Sequence, residues 1–164
     1  MRMRLLLALL ATAFGATAGT AGEPDFTTPR AGLHTGGQPD ADDLRAFAAD
    51  GVSVVIDLRG RDEPRGYDEP ALARSLGVRY VSLPITGAED LTPANAAALE
   101  EALDSAEGPV LLHCASGNRV GALLAMAAAQ EEGATPDAAF ALGRAAGLGS
   151  LAPVVRERLG LPNP

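Results

Sequence analysis

A thiol and a guanidinium stand five positions apart in Val110-Leu-Leu-His-Cys-Ala-Ser-Gly-Asn-Arg-Val-Gly-Ala-Leu-Leu124. A short apolar run ends at His113-Cys114, a small Gly-containing turn follows, and an apolar run with helical spacing begins after Arg119. That order reads as strand, tight loop, helix. Such a loop turns the backbone N–H groups of Ala115, Ser116, Gly117 and Asn118 inward beside a helix N-terminus, a ready anion site. The same positive helix end favours a thiolate at Cys114 over a thiol. Arg119 can grip a tetrahedral oxyanion through two parallel hydrogen bonds, which a lysine cannot do. A nucleophilic sulfur at the floor of an oxyanion cradle implies transfer of a phosphoryl or a sulfur group.

The elements that must place these groups are alternating strands and helices. Val52-Ser-Val-Val-Ile56 is a β-branched run and Val78 to Ile85 a second one, both read as buried strands, and Val110 to His113 is the third. Gly22 to Gly37 is turn-rich, with one extended piece near Ala31 to Thr35. Helices are predicted over 40–50, with Asp40 as cap and Gly51 as stop, and over 71–76. Thr92-Pro93 and Thr135-Pro136 each pair a hydroxyl cap with proline at the first helical position, opening helices to about Ser105 and Ala146. Further helices are read over 119–130 and 150–159. Strands alternating with helices predict a single α/β domain with a short, mainly parallel sheet flanked by helices. Ligands in such sheets sit outside the carboxyl ends of the strands, which is where Cys114 falls.

Composition narrows the partners. The chain has 164 residues, 13 basic against 21 acidic, a net charge of −8, and every basic residue is arginine. An acidic domain without a basic stripe argues against nucleic acid as a partner. Two histidines and one cysteine are too few for a convincing metal site, so no metal or cofactor is expected. One cysteine also means that no internal disulfide forms. Met1-Arg-Met-Arg4, the apolar stretch Leu5 to Ala18, and small residues up to Ala21 follow the order of a secretory signal. The apolar core is too short to span a bilayer. The expectation is a signal peptide over 1–21, a domain over 22–164, and a periplasmic or secreted location.

The Cys114-to-Arg119 loop resembles the cradle of two families. The protein-tyrosine-phosphatase-like superfamily carries His-Cys-x5-Arg. More narrowly, the chain is similar to the phosphatase-like domain of beta-lactamase hydrolase-like proteins over about residues 32–133. The matching segments are Gly36-Gly-Gln-Pro39, Val54-Val-Ile-Asp-Leu-Arg59, Tyr80-Val-Ser-Leu-Pro-Ile85 and Gly108-Pro-Val-Leu-Leu-His-Cys-Ala-Ser-Gly-Asn-Arg119. The rhodaneses carry Cys-x-x-Gly-x-Arg, a spacing this loop matches literally. The chain departs from the tyrosine phosphatases in having four residues, not five, between Cys114 and Arg119, and in Val120, where many of them have Ser or Thr. Thr86 stands near the place of their general-acid Asp. From rhodanese it departs in the segment after the first strand.

The resemblance implies a cysteine-dependent phosphatase acting through a cysteinyl-phosphate on a phosphorylated small molecule or phosphoprotein. The alternatives are a sulfur transferase working through a Cys114 persulfide, and a phospho-ligand-binding module without catalysis. Glu89 and Asp90 are the nearest candidates for a leaving-group acid, with solvated loop charges as the blander reading. His113 is read as an orienter of the loop, its side chain on the opposite face from Cys114. Gln38 either lines the site or stabilises the turn into the first helix. His34 reads as a surface residue within reach of the site.

Overall fold

The computed structural model describes residues 25–163. The predicted signal segment lies outside them. Five strands form one sheet: β1 (Thr27–Arg30), β2 (Leu33–Gly36), β3 (Val54–Asp57), β4 (Arg79–Ser82) and β5 (Val110–His113). Their order across the sheet is β1-β2-β5-β3-β4, with β1 antiparallel to β2 and every other pairing parallel. Six α-helices and a short 3₁₀ turn over Ala88–Asp90 complete the described fold: α1 (Ala41–Ala49), α2 (Glu69–Ser75), α3 (Pro93–Asp104), α4 (Asn118–Ala128), α5 (Pro136–Ala145) and α6 (Ala152–Arg158).

Two apolar clusters lie on the two faces of the sheet, as alternating side chains along a strand require. Val54, Ile56 and Leu112 join Leu99, Leu123 and Cys114 in the larger cluster. Val55 and Leu111 point the other way, onto Leu44 of α1 and Ala73 of α2. Asp57 and His113 occupy the same register position on neighbouring central strands, so both carboxylate and imidazole are fully buried at the strands' carboxyl ends.

Two strand expectations are corrected. Val78 to Ile85 is not a second buried strand: β4 covers only Arg79–Ser82 at the sheet edge, its outer residues exposed. Paired on one side only, it needs less apolar surface than a central strand. The turn-rich N-terminal stretch holds two strands, not one extended piece. Its Gly32, at φ +75°, makes the tight connection between β1 and β2. The helix expectations hold to within a few residues. Asp40 accepts from the backbone N–H groups of Asp42 and Asp43, and Thr92 and Thr135 cap α3 and α5 through their hydroxyls.

Candidate functional site

β5 delivers His113 and then Cys114, whose backbone N–H donates to Gly36 O at 3.3 Å. The chain then turns through Ala115 and Ser116 to Gly117, which sits at φ +84° and is the N-terminal cap of α4. Glycine adopts that conformation without strain, and it lets the chain pass from the loop directly into α4. The Gly117 N to Cys114 Sγ distance is 3.1 Å. The loop is pressed against β2 as well. A Cβ on Gly37 would stand 3.1 Å from Ala115 O, and Gly37 pairs with Ser116 as an isolated bridge. Cys114 is fully buried, and the amides of the first turn of α4 have no acceptor within the helix.

Arg119 lies on the first turn of α4, five positions after Cys114; its hydrogen bond to Glu63 is the main cause that raises its pKa, with Cys114 among the smaller ones. Its partner was not foreseen from sequence. Glu63 accepts from Nη1 at 2.6 Å and Nη2 at 2.8 Å, and Nη1 also donates to Ile85 O at 2.8 Å. This fork takes the end of the guanidinium and leaves the Nε–Nη2 edge for another ligand. The Arg119 hydrogen bond is the main cause that lowers Glu63 from its ordinary 4.5 to about 2.

On the opposite face of β5, His113 meets a second group of charges. Its Nε2 lies 2.8 Å from Glu69 Oε1 and 4.0 Å from Asp57 Oδ1. The ring N–H points off the axis of the Glu69 contact, so the two atoms meet as a close polar contact and not as a directed hydrogen bond. Its Nδ1 faces Cys114 O at 3.4 Å. Asp57 in turn accepts from Arg65 Nε at 2.8 Å, Tyr80 OH at 2.6 Å and Arg59 N at 2.8 Å. Burial, and then the Asp57 hydrogen bond, push the Tyr80 hydroxyl upward. Asp57, Glu69 and His113 bring ligand-type atoms within 4.8 Å of one another. Arg65, Tyr80 and Gln38 already engage the two carboxylates, so the group is a charge-compensated network.

The other predicted site residues fall in different places. The Gln38 side chain donates to Glu69 Oε2 at 3.1 Å and accepts from Arg59 Nη1, and its backbone N–H donates to Ala115 O at 3.3 Å. It braces the loop and does not line the anion side. The Asn118 side chain faces away, accepting from Gly149 N at 2.8 Å and donating to Ser150 Oγ at 2.9 Å, so only its backbone belongs to the cradle. Asp90 is tied to its own loop by Thr86 N at 2.7 Å and Thr86 Oγ1 at 2.6 Å. Those bonds lower its pKa, Thr86 Oγ1 most, which works against the proton donation expected of it. Glu89 folds back on its own turn: a Cβ on Gly87 would meet its Oε2 at 2.6 Å. His34 packs on Phe47 with ring centres 5.3 Å apart, on the α1 side of the sheet.

The five-stranded, mostly parallel sheet with its flanking helices, and Cys114 at the carboxyl end of a central strand, make up a cysteine-phosphatase-like fold. The chain belongs to the family "Beta-lactamase hydrolase-like protein, phosphatase-like domain", which matches residues 25–131. A beta-lactamase hydrolase-like protein of Xylella fastidiosa (strain Temecula1 / ATCC 700964) is 35% identical over 119 residues, 70% of this chain. The match takes in 27% of that relative, so the chain spans about a quarter of its length. Among solved structures, a candidate phosphatase of Neisseria meningitidis superposes with a TM-score of 0.65 at 22% identity, covering 80% of this chain and 96% of that one. A variant of P. aeruginosa TpbA, solved in complex with pTyr, does so with a TM-score of 0.58 at 23% identity, covering 81% and 87%. No helix among the described residues is long and apolar enough to cross a membrane.

Proposed function

We propose that this domain is a cysteine-dependent phosphatase acting on aryl phosphate esters, of a small molecule or a phosphoprotein. The observation that carries the reading is the Gly117 N–H aimed at Cys114 Sγ, with Arg119 on the first turn of the helix that follows the same loop. The amide and the helix N-terminus stabilise a thiolate, and the unused edge of Arg119 fits two oxygens of a phosphate. Thiolate attack on phosphorus forms the S–P bond as the ester P–O bond breaks. Water then attacks phosphorus, and the thiolate leaves. Loop amides and guanidinium are aimed at charge that grows in both steps.

Glu89 is turned back on Gly87, and neither Asp90 nor Glu63 is set up to protonate the leaving oxygen. Asp90 is held ionised by Thr86, and Glu63 by Arg119. An aryloxide leaves without that help; an alkoxide does not. Aryl phosphates are therefore turned over far faster than alkyl phosphates, and Asp90→Asn changes neither rate appreciably. Cys114→Ser abolishes turnover of both.

One observation favours a second reading. With four residues between Cys114 and Arg119, the loop has fewer amides to wrap a phosphate than the five-residue form. Sulfur transfer needs no leaving-group acid: the thiolate attacks the sulfane sulfur of thiosulfate, sulfite leaves, and an acceptor thiol takes the sulfur from the persulfide. The deciding experiment runs aryl phosphate hydrolysis and thiosulfate-to-thiol transfer side by side, with wild type and Cys114→Ser. Cys114-dependent turnover of thiosulfate alone overturns the phosphatase reading. We also propose export, from the Arg2/Arg4, Leu5-to-Ala18 and small-residue order. N-terminal sequencing of the native protein gives a start between Gly19 and Gly22; a native start at Met1 overturns it.

A further inference from the structure

Three consecutive residues of the cysteine loop are tied to the chain around it. Cys114 N donates to Gly36 O and Cys114 O faces His113 Nδ1; Ala115 O accepts from Gln38 N; Ser116 bridges to Gly37. Two of the tethering residues, His113 and Gln38, converge through their side chains on one carboxylate, Glu69 of α2. Oε1 meets His113 Nε2 at 2.8 Å and Oε2 accepts from Gln38 Nε2 at 3.1 Å. Glu69 is fully buried, on the sheet face away from the thiol. A carboxylate withdrawn from water is costly unless its oxygens are engaged, so this placement demands a return in structure.

We propose that Glu69 is a positioning residue for the nucleophile. Held between His113 and Gln38, it fixes the backbone of Cys114 and Ala115 from beneath, and thereby fixes the direction in which the Gly117 N–H meets the sulfur. The proposal rests on Cys114 being the reactive group of the proposed function, and not on which group it transfers. The charged or titratable groups around Glu69 and His113 are Asp57, Arg59, Arg65, Tyr67 and Tyr80; on the thiol's side they are Arg119 and Glu63.

The hydrogen-bond directions make a test available. Arg59 donates to Gln38 Oε1, which fixes the Gln38 amide with its NH2 toward Glu69. In Glu69→Gln, the oxygen of the new amide keeps its contact with His113 Nε2 and the other end sets NH2 against NH2 at Gln38, so the Gln38 bond is lost. The exchanged pair Gln38→Glu with Glu69→Gln restores the set: the carboxylate now at position 38 accepts from Arg59 and from the new amide, whose oxygen faces His113. The bond to Pro39 O is missing from it, and the negative charge sits at position 38 with a neutral amide oxygen against His113.

The readout is alkylation of Cys114 by iodoacetamide in the folded full-length protein, followed from pH 5 to pH 9, with Tm measured alongside. Glu69→Gln slows alkylation at pH 6 about tenfold and moves the midpoint up by about one pH unit. The exchanged pair recovers the wild-type rate to within about threefold. A Glu69→Gln protein that loses Tm but alkylates with the wild-type profile overturns the proposal, since the residue is then only structural. An exchanged pair no faster than Glu69→Gln overturns it as well. Should Glu69→Gln alone not fold, the exchanged pair still decides: wild-type alkylation supports positioning and a slowed rate refutes it. Absence of aryl phosphate turnover in the wild type bears on the phosphatase reading alone.

Discussion

At the scale of the residue, the proposed function divides the site into groups that face the reaction and groups that hold them. Arg119→Lys keeps the charge and loses the fork, so both Glu63 and a bound oxyanion give up a bidentate contact. Loss of about 1.4 kcal/mol of transition-state binding is a tenfold fall in kcat/KM, and at least that much is expected. Aryl phosphate kinetics on a variant with wild-type circular dichroism checks it. The Glu63 pair carries a pH signature. Its folded pKa of about 2 lies below the ordinary 4.5, so its stabilisation is complete above pH 4.5 and is lost as pH falls toward 2. The Tm gap between wild type and Glu63→Gln therefore stays constant from pH 7 to pH 5 and closes between pH 4.5 and pH 2. A gap that widens on acidification contradicts the pairing. Cys114 and Arg119 were readable as a pair because five positions of one loop separate them. Glu63 was not, because it lies 56 positions from Arg119 and only the folded sheet brings the two together. In the sequence it is one of several charges in a Gly/Pro-rich loop. The clue available was Asp57, a carboxylate closing a β-branched run, which marks the end of β3 as a place where charge is buried and compensated.

At the scale of the element, the cradle depends on how tightly α4 approaches its neighbours. A Cβ on Gly121 would stand 2.2 Å from Leu148 N and 2.5 Å from Gly143 O, and one on Gly143 2.6 Å from Gly121 O. These are backbone contacts that cannot step aside. Gly121→Ala or Gly143→Ala forces α4 and α5 apart at a cost of about 1–3 kcal/mol. Urea unfolding measures the loss, and because α4 begins at Asn118 the same shift slows Cys114 alkylation. The helices were legible where a cap announced them: Asp40, Thr92 and Thr135 each fix a start. The extent of β4 was not, because Val78, Val81 and Ile85 are apolar for different reasons. Val78 packs beside α2, Val81 lies on the strand, and Ile85 belongs to the loop whose carbonyl takes Arg119. A run of apolar residues does not announce which of them leave the sheet.

At the scale of the whole molecule, the last two helices lie beyond the segment that the family defines, yet they complete the core. Ala146, Leu148 and Val155 are buried in the same cluster as Cys114, with Phe140, Leu142 and Leu151 packed on it. The Asn118 side chain ties the cradle's helix to the backbone at Gly149 and Leu151. A chain ending at Gly133 exposes the apolar side of α4, and its far-UV circular dichroism shows no cooperative thermal transition. A two-state melt of that fragment near the full-length Tm would show that α5 and α6 are dispensable.

The thiol at the centre of this arrangement has no second cysteine anywhere in the chain. If peroxide oxidises Cys114 to the sulfenic acid, no resolving sulfur of its own can capture that state as an internal disulfide. Recovery falls to a small thiol from outside, and without one the next equivalent of oxidant carries the sulfur to the sulfinic acid, which thiols do not reverse. Brief peroxide treatment followed by glutathione restores activity, whereas the same thiol added after prolonged exposure does not. Intact-mass spectra follow the sequence as one, then two, added oxygens.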